Sequence, residues 1–195
     1  MSAREALIVG PDGRARCSWV GDDEEYRRYH DEEWGAPLHG DHKLFEKIML
    51  EFQAGLSWIT ILRRRDGIRD AFDHFDAATI AAYGDADVTR LLDDPRIIRN
   101  RLKVSAAITN ARATLELCQD SPGALDTLLW SFAPAPRTKR PSALSDIPAT
   151  TEESTAMSKA LKARGFRFVG PTTMYALMQS AGMVDDHLEG CWRVA

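Results

Sequence analysis

The sequence predicts an all-α protein of roughly seven to nine helices: apolar residues recur at helical spacing along most of the chain, helix caps and stops punctuate them, and strand alternation is sparse. Between Asp41 and Phe52 the residues Leu44, Phe45, Ile48, Met49 and Phe52 fall one to a turn, the mark of a helix that buries one face. Asp94 followed by Pro95 reads as an N-cap and a first-turn proline. They open a long helix whose stripe runs through Ile97, Val104, Ile108, Ala111 and Leu115 and which ends near Cys118. Residues 132–148 are proline-rich and read as a connector within one unit. Thr150 with Glu153 resembles a capping box for a helix carrying Met157, Ala160 and Leu161, stopped at Gly165. A last helix is expected over about 172–181.

A chain of 195 residues supports one sizeable core, so residues 17–195 are expected as a single unit behind an N-terminal extension over 1–16. Three cysteines, Cys17, Cys118 and Cys191, do not make a disulfide framework and fit a reducing compartment. Neither a secretory pattern nor an apolar stretch able to span a bilayer is visible, so a soluble, cytoplasmic protein with no membrane partner is expected. Net charge is −4, but its distribution is uneven. Acids crowd residues 22–33, while bases cluster at 63–65, 96–103, 137–140 and 159–167. Such patches suit either a phosphate-bearing partner or ordinary solvated helix faces.

Three constellations carry chemistry. Cys17 with His30, and His187 with Cys191, would together form a closed Cys2His2 set of the kind structural zinc uses, joining the two ends of the chain. The same residues also suit a buried thiol beside surface histidines. Near the C-terminus, a helix ending at Gly165, a turn over 166–169 and a new helix after Gly170 describe a helix-hairpin-helix near 158–181, whose outward amides bind phosphate with help from Arg164 and Arg167. An ordinary turn packing Phe166 and Phe168 is the competing explanation. The third group is aromatic: Trp19, Tyr26, Tyr29, Trp34 and Trp58 lie in the N-terminal third beside Glu51. Such residues are commonly core. Tyr29, however, immediately precedes His30, so a metal ligand there would fix its place beside a pocket.

Taken together, Cys17 to Trp19, Tyr29-His30 through Trp34, Leu50-Glu51, Gln53 through Trp58, Trp130 to Phe132, Gly165 through Gly170, and Asp186-His187 with Cys191 resemble the DNA-3-methyladenine glycosylase I family over about residues 17–192. The resemblance implies the helix-hairpin-helix DNA glycosylase fold, one structural zinc on Cys17, His30, His187 and Cys191, and excision of 3-methyladenine from alkylated double-stranded DNA by a monomer without an obligate protein partner. It makes Glu51 the acid that hydrogen-bonds the base, and Trp58 and Tyr29 the aromatics that stack on it or line its pocket. Tyr26, Trp19 and Trp34 become further pocket or support residues. Gln53, Gly55 and Leu56 fall in the loop that enters the duplex, and Gly165, Gly170, Arg164 and Arg167 in the hairpin on the backbone. The base must leave the stack for its glycosidic bond to be reached. N3-methylation makes adenine cationic, so the bond is already weak, strong general acid catalysis is unnecessary, and aromatic faces favour the charged ring. The hairpin shows no lysine nucleophile of the strand-nicking kind.

One departure stands out. The family has an extra residue, commonly glycine, between the acid and the Gln-Ala-Gly-Leu-Ser-Trp loop, whereas here Glu51-Phe52 runs directly into Gln53. Absorbed within the helix, that deletion would turn Glu51 by about 100 degrees relative to the loop. The alternative reading is therefore a zinc-stabilised DNA-binding module with impaired excision. A catalytic zinc hydrolase or deaminase is disfavoured, because four protein ligands leave no open position and the zinc-deaminase pattern is absent.

Overall fold

The computed structural model describes residues 6–52 and 57–193. Among them lie a two-stranded antiparallel hairpin and nine α-helices. The hairpin pairs β1 (Leu7–Val9) with β2 (Ala15–Cys17) in the register Leu7 with Cys17, Ile8 with Arg16 and Val9 with Ala15. The helices are α1 (Glu24–Glu32), α2 (Asp41–Glu51), α3 (Trp58–Ala71), α4 (Ala77–Ala81), α5 (Asp85–Asp93), α6 (Arg101–Cys118), α7 (Ala124–Trp130), α8 (Glu152–Ala163) and α9 (Pro171–Ser180). No helix among the described residues is long and apolar enough to cross a membrane.

The core forms around α2. Leu44, Phe45 and Ile48 on its apolar face are buried with Val104, Ala107 and Ala111 of α6, Leu125 and Leu129 of α7, and Met174, Leu177 and Met178 of α9. Each fully buried Leu, Ile, Val, Phe or Met side chain among these contributes about 1.5–3 kcal/mol relative to exposure. Asp41, the first residue of α2, also serves α7: its carboxylate accepts from the backbone N–H of Gly123 (2.7 Å) and Asp126 (2.9 Å) at that helix's N-terminus. The all-α expectation is thus corrected by one small hairpin. Its strands are three residues long, too short to display a period, and they lie within and just past the described part of the expected 1–16 extension.

Two helix starts also differ from expectation. The long helix begins at Arg101, with the Asn100 side chain accepting from Lys103 N–H at 3.2 Å, because Asp94 is occupied by the backbone N–H and guanidinium of Arg96. The capping box of α8 falls one residue later than Thr150 and Glu153: Ser154 N–H donates to Thr151 Oγ1 (3.2 Å) and Thr151 N–H to Ser154 Oγ (2.9 Å). The C-terminal stop is as expected, with Gly165 in the left-handed region at φ 87°.

The segment joining α1 to α2 crosses the C-terminal end of α9, where Gly35 N–H donates to Gln179 O (3.2 Å) and Leu38 N–H to Ala181 O (3.0 Å). Gly182 permits this close approach: its φ is 71°, and a Cβ there would lie 2.5 Å from the carbonyl carbon of Ala36. Gly182→Ala therefore combines left-handed strain with a backbone clash, and an expected loss of about 3 kcal/mol would appear as a lower midpoint in urea unfolding. An unchanged midpoint would show that the approach is not tight.

Candidate active site

The last residues of α2 and α9, the first of α3 and one face of α1 converge on a cleft of about 280 Å³. Tyr29 of α1 and Trp58 of α3 stand with ring centroids 5.7 Å apart, at an interplanar angle of 53°. Trp19 packs edge-on against both Tyr26 (5.5 Å) and Trp34 (5.2 Å), closing the opposite side. Tyr26 also anchors the start of α3, its hydroxyl accepting from Ile59 N–H at 3.1 Å. Into this aromatic chamber projects Glu51, only 9 % exposed, whose Oε1 accepts from the Ser180 hydroxyl at 2.7 Å. Burial pushes the Glu51 carboxyl above the usual range, while Lys47 and the Ser180 bond pull it back. Burial likewise raises the Tyr29 phenol, which stays protonated at neutral pH.

Behind Tyr29 sits the cysteine and histidine group. Cys17, His30 and Cys191, all buried, place one ligand atom each within 4.8 Å of one another. Cys191 Sγ lies 3.5 Å from His30 Nε2. His187 falls outside this three-residue set, but its ring centroid is 5.0 Å from that of His30, and its buried Nε2 has no hydrogen-bond partner. The two histidines are supported alike. His30 Nδ1 pairs with Asp31 Oδ1 at 2.8 Å and His187 Nδ1 with Asp185 Oδ1 at 2.8 Å. Each aspartate is held in turn by an arginine: Arg16 Nη2 lies 2.6 Å from Asp31 Oδ2, and Arg140 Nη2 2.8 Å from Asp185 Oδ2. A carboxylate on Nδ1 fixes the tautomer whose Nε2 lone pair is free for a metal. The donor set, and the orphaned nitrogen in particular, fits a zinc-sized cation.

The turn between α8 and α9 forms a third feature. Phe166 and Val169 point into the core, leaving Arg164, Gly165, Arg167 and Phe168 exposed. Asn110 of α6 clamps it from below, accepting from Arg167 N–H (2.7 Å) and donating to Arg167 O (3.1 Å). Ser158 of α8 donates to Val169 O at 2.6 Å. The Phe168 ring lies 5.9 Å from that of Phe52, so the turn stands next to the end of the helix that carries Glu51.

A family model described as methyladenine glycosylase matches residues 19–194. The chain belongs to that family. DNA-3-methyladenine glycosylase 1 of Escherichia coli (strain K12) is 49% identical over 178 residues, covering 90% of this chain and 95% of the relative. A crystal structure of 3-methyladenine DNA glycosylase I superposes with a TM-score of 0.87 at 47% identity, over 92% of this chain and all of that one. A structure from Staphylococcus aureus, described as giving the basis of 3-methyladenine recognition by its glycosylase I, matches with a TM-score of 0.83 at 34% identity, covering 91% and 95% of the two chains.

Among the site residues expected for a methyladenine glycosylase, Trp19, Tyr26, Tyr29, Trp34, Glu51 and Trp58 all line one cleft. Trp34 also packs edge-on to His187 at 4.6 Å, linking the cleft to the cysteine and histidine group. Gly165, Gly170, Arg164 and Arg167 lie on or beside the exposed turn, whereas Gln53, Gly55 and Leu56 lie outside the described residues. The shortened step after Glu51 does not swing the acid out of the cleft: α2 keeps its turn through Glu51, and Phe52 follows as a buried cap. Three contributors were missed from sequence, namely Lys47, Asn110 and Ser180. Asn110 carried a signal, being a polar residue within the apolar stripe of α6. Ser180 and Lys47 carried none, because their partners come from the tertiary fold.

Proposed function

We propose that this chain is a monofunctional base-excision glycosylase that hydrolyses the N-glycosidic bond of 3-methyladenine in alkylated double-stranded DNA, after the base has flipped into the cleft. The observation that carries the reading is the buried carboxylate that lines the cleft, Glu51, enclosed by aromatic rings. An N3-methylated adenine is cationic, so Tyr29 and Trp58 offer π-faces to its charge and Glu51 accepts from its exocyclic amine. The glycosidic bond breaks with its electron pair going to the base, which leaves neutral, and water adds to the cationic sugar carbon and releases a proton to solvent. Glu51 thus selects and holds a leaving group that is already activated. The α8-turn-α9 unit serves as the helix-hairpin-helix: its exposed amides, with Arg164 and Arg167, hold the backbone, and residues 53–56 probe the duplex beside the flipped nucleotide.

Cys17, His30, His187 and Cys191 would hold one zinc ion, which closes the chain ends and leaves no ligand position for chemistry. The protein acts as a single chain. The alternative, a DNA-binding module impaired in excision, needs Glu51 displaced by the short loop, and its carboxylate inside the cleft speaks against that. The deciding measurement is release of free 3-methyladenine from methylated duplex DNA by the folded, zinc-loaded protein. No release at any enzyme concentration sinks the glycosylase reading.

A further inference from the structure

We propose that Lys47 is a positioning residue for Glu51: its buried ammonium, one turn earlier on α2, keeps the acid as a preformed anion and so reserves the cleft for a cationic base. This rests on the reading of Glu51 as the acid that meets the base. Lys47 is 8 % exposed, an unusual place for an amine, and its Nζ stands 5.2 Å from the Tyr29 ring centroid and 5.6 Å from that of Trp58. It lines a neighbouring cleft of about 380 Å³ that shares Ser180 with the first, so it supports the acid from outside the base-sized chamber.

The surrounding charges assign Lys47 to Glu51. In that neighbouring cleft, Glu33, just past α1, is held by Arg65 of α3 (Nη2 to Oε1, 3.1 Å), and Glu46 of α2 by Arg69 of α3 (Nε to Oε1, 3.1 Å). The remaining groups that face Glu51 are the phenols of Tyr29 and Tyr26 on α1, Trp58 on α3, and the uncharged Gln179 and Ser180 on α9. A buried carboxyl with only a serine donor would take up a proton and lose its attraction for a cation. The aromatic faces in turn stabilise the ammonium in this low-dielectric setting. Burial, with Arg65 nearby, brings the Lys47 amine below its ordinary range, against the opposing pull of Glu51, Glu33 and Glu46. Two unlike charges a turn apart therefore keep each other ionised, and a neutral adenine loses the attraction that a methylated one gains.

The test is a carbon-13 NMR titration of the Glu51 side-chain carboxyl in the full chain, assigned through its absence in Glu51→Gln. In Lys47→Met the midpoint is expected to rise by about one pH unit or more, whereas Lys47→Arg restores it towards the wild type. Excision of 3-methyladenine by Lys47→Met should fall away at correspondingly higher pH, with the deficit shrinking as pH rises. A Glu51 midpoint that is the same in Lys47→Met and wild type overturns the proposal, and so does a moved midpoint with an unmoved acid limb of excision. The titration needs neither DNA nor turnover, so absence of excision in the wild type would count against the glycosylase reading alone. If Lys47→Met does not fold, Lys47→Gln carries the same two readouts.

Discussion

Cys17→Ala and Cys191→Ala are each expected to abolish stoichiometric zinc binding and to lower the melting temperature by about 10 °C. That shift corresponds to about 4 kcal/mol at roughly 2–4 °C per kcal/mol for a chain of this size. The magnitude follows from what the four proposed ligands join. Cys17 ends the β-hairpin and Cys191 lies in the last turn, with Trp192 N–H donating to Ala15 O at 2.8 Å and Leu188 N–H reaching Cys17 Sγ at 3.3 Å. Metal binding is folding free energy when the site exists only in the folded chain. The buried His187 Nε2 has no protein hydrogen-bond partner, so it is the atom that gains most from a cation. Metal analysis should give about one zinc per chain, and a chelator should reproduce the stability loss in the wild type. Finding no metal in the folded wild-type protein would reject the assignment.

Glu51→Gln should reduce excision by on the order of 100-fold while duplex binding stays within about threefold, since phosphate contacts supply most of the affinity for DNA. Glutamine keeps a carbonyl for the exocyclic amine but loses the charge that complements a cationic ring. The wild-type pH profile should show the same dependence from the other direction. Because the folded carboxyl sits above its ordinary range, the anion is present above that raised value and is lost as pH falls through it. Excision therefore declines on the acid side at a pH higher than an exposed glutamate would give, and Glu51→Gln lacks that limb. Equal losses of excision and DNA binding in the variant would contradict the role given to Glu51.

Much of this architecture was legible in the chain. The stripes of α2 and α6 and the stop at Gly165 are written in local spacing, which is where sequence periodicity is strongest. Helix starts were less legible: several side chains within a few residues can cap, and the choice depends on which neighbours compete. Asp94 is occupied by Arg96, so the start of the long helix passes to Asn100. The aromatic and acidic members of the cleft could be named, and the fold brings them together from α1, α2 and α3. Their supports could not. Ser180 meets Glu51 across 129 residues of sequence, and no local pattern encodes such a pairing. The hairpin was missed for a different reason. Three-residue strands are specified by tertiary contacts: Arg14 in the turn between them lies over the Trp192 ring, and Cys17 at the end of β2 is buried with Leu188 and Cys191.

The junction of the two ends also orders the protein's making. Leu188 and Cys17, in contact, are 171 residues apart in the chain. A ribosome delivers the hairpin, Tyr29 and His30 first, and the residues that fasten them last. Helices α2 to α7 can begin to collapse on one another while still tethered, and Tyr29 can meet Trp58 of α3, but Glu51 has no Ser180 and His30 no His187 or Cys191 until those residues have left the exit tunnel. A stalled chain would consequently lack the α9 side of both the core and the cleft, so core and cleft are completed together when the C-terminal residues arrive.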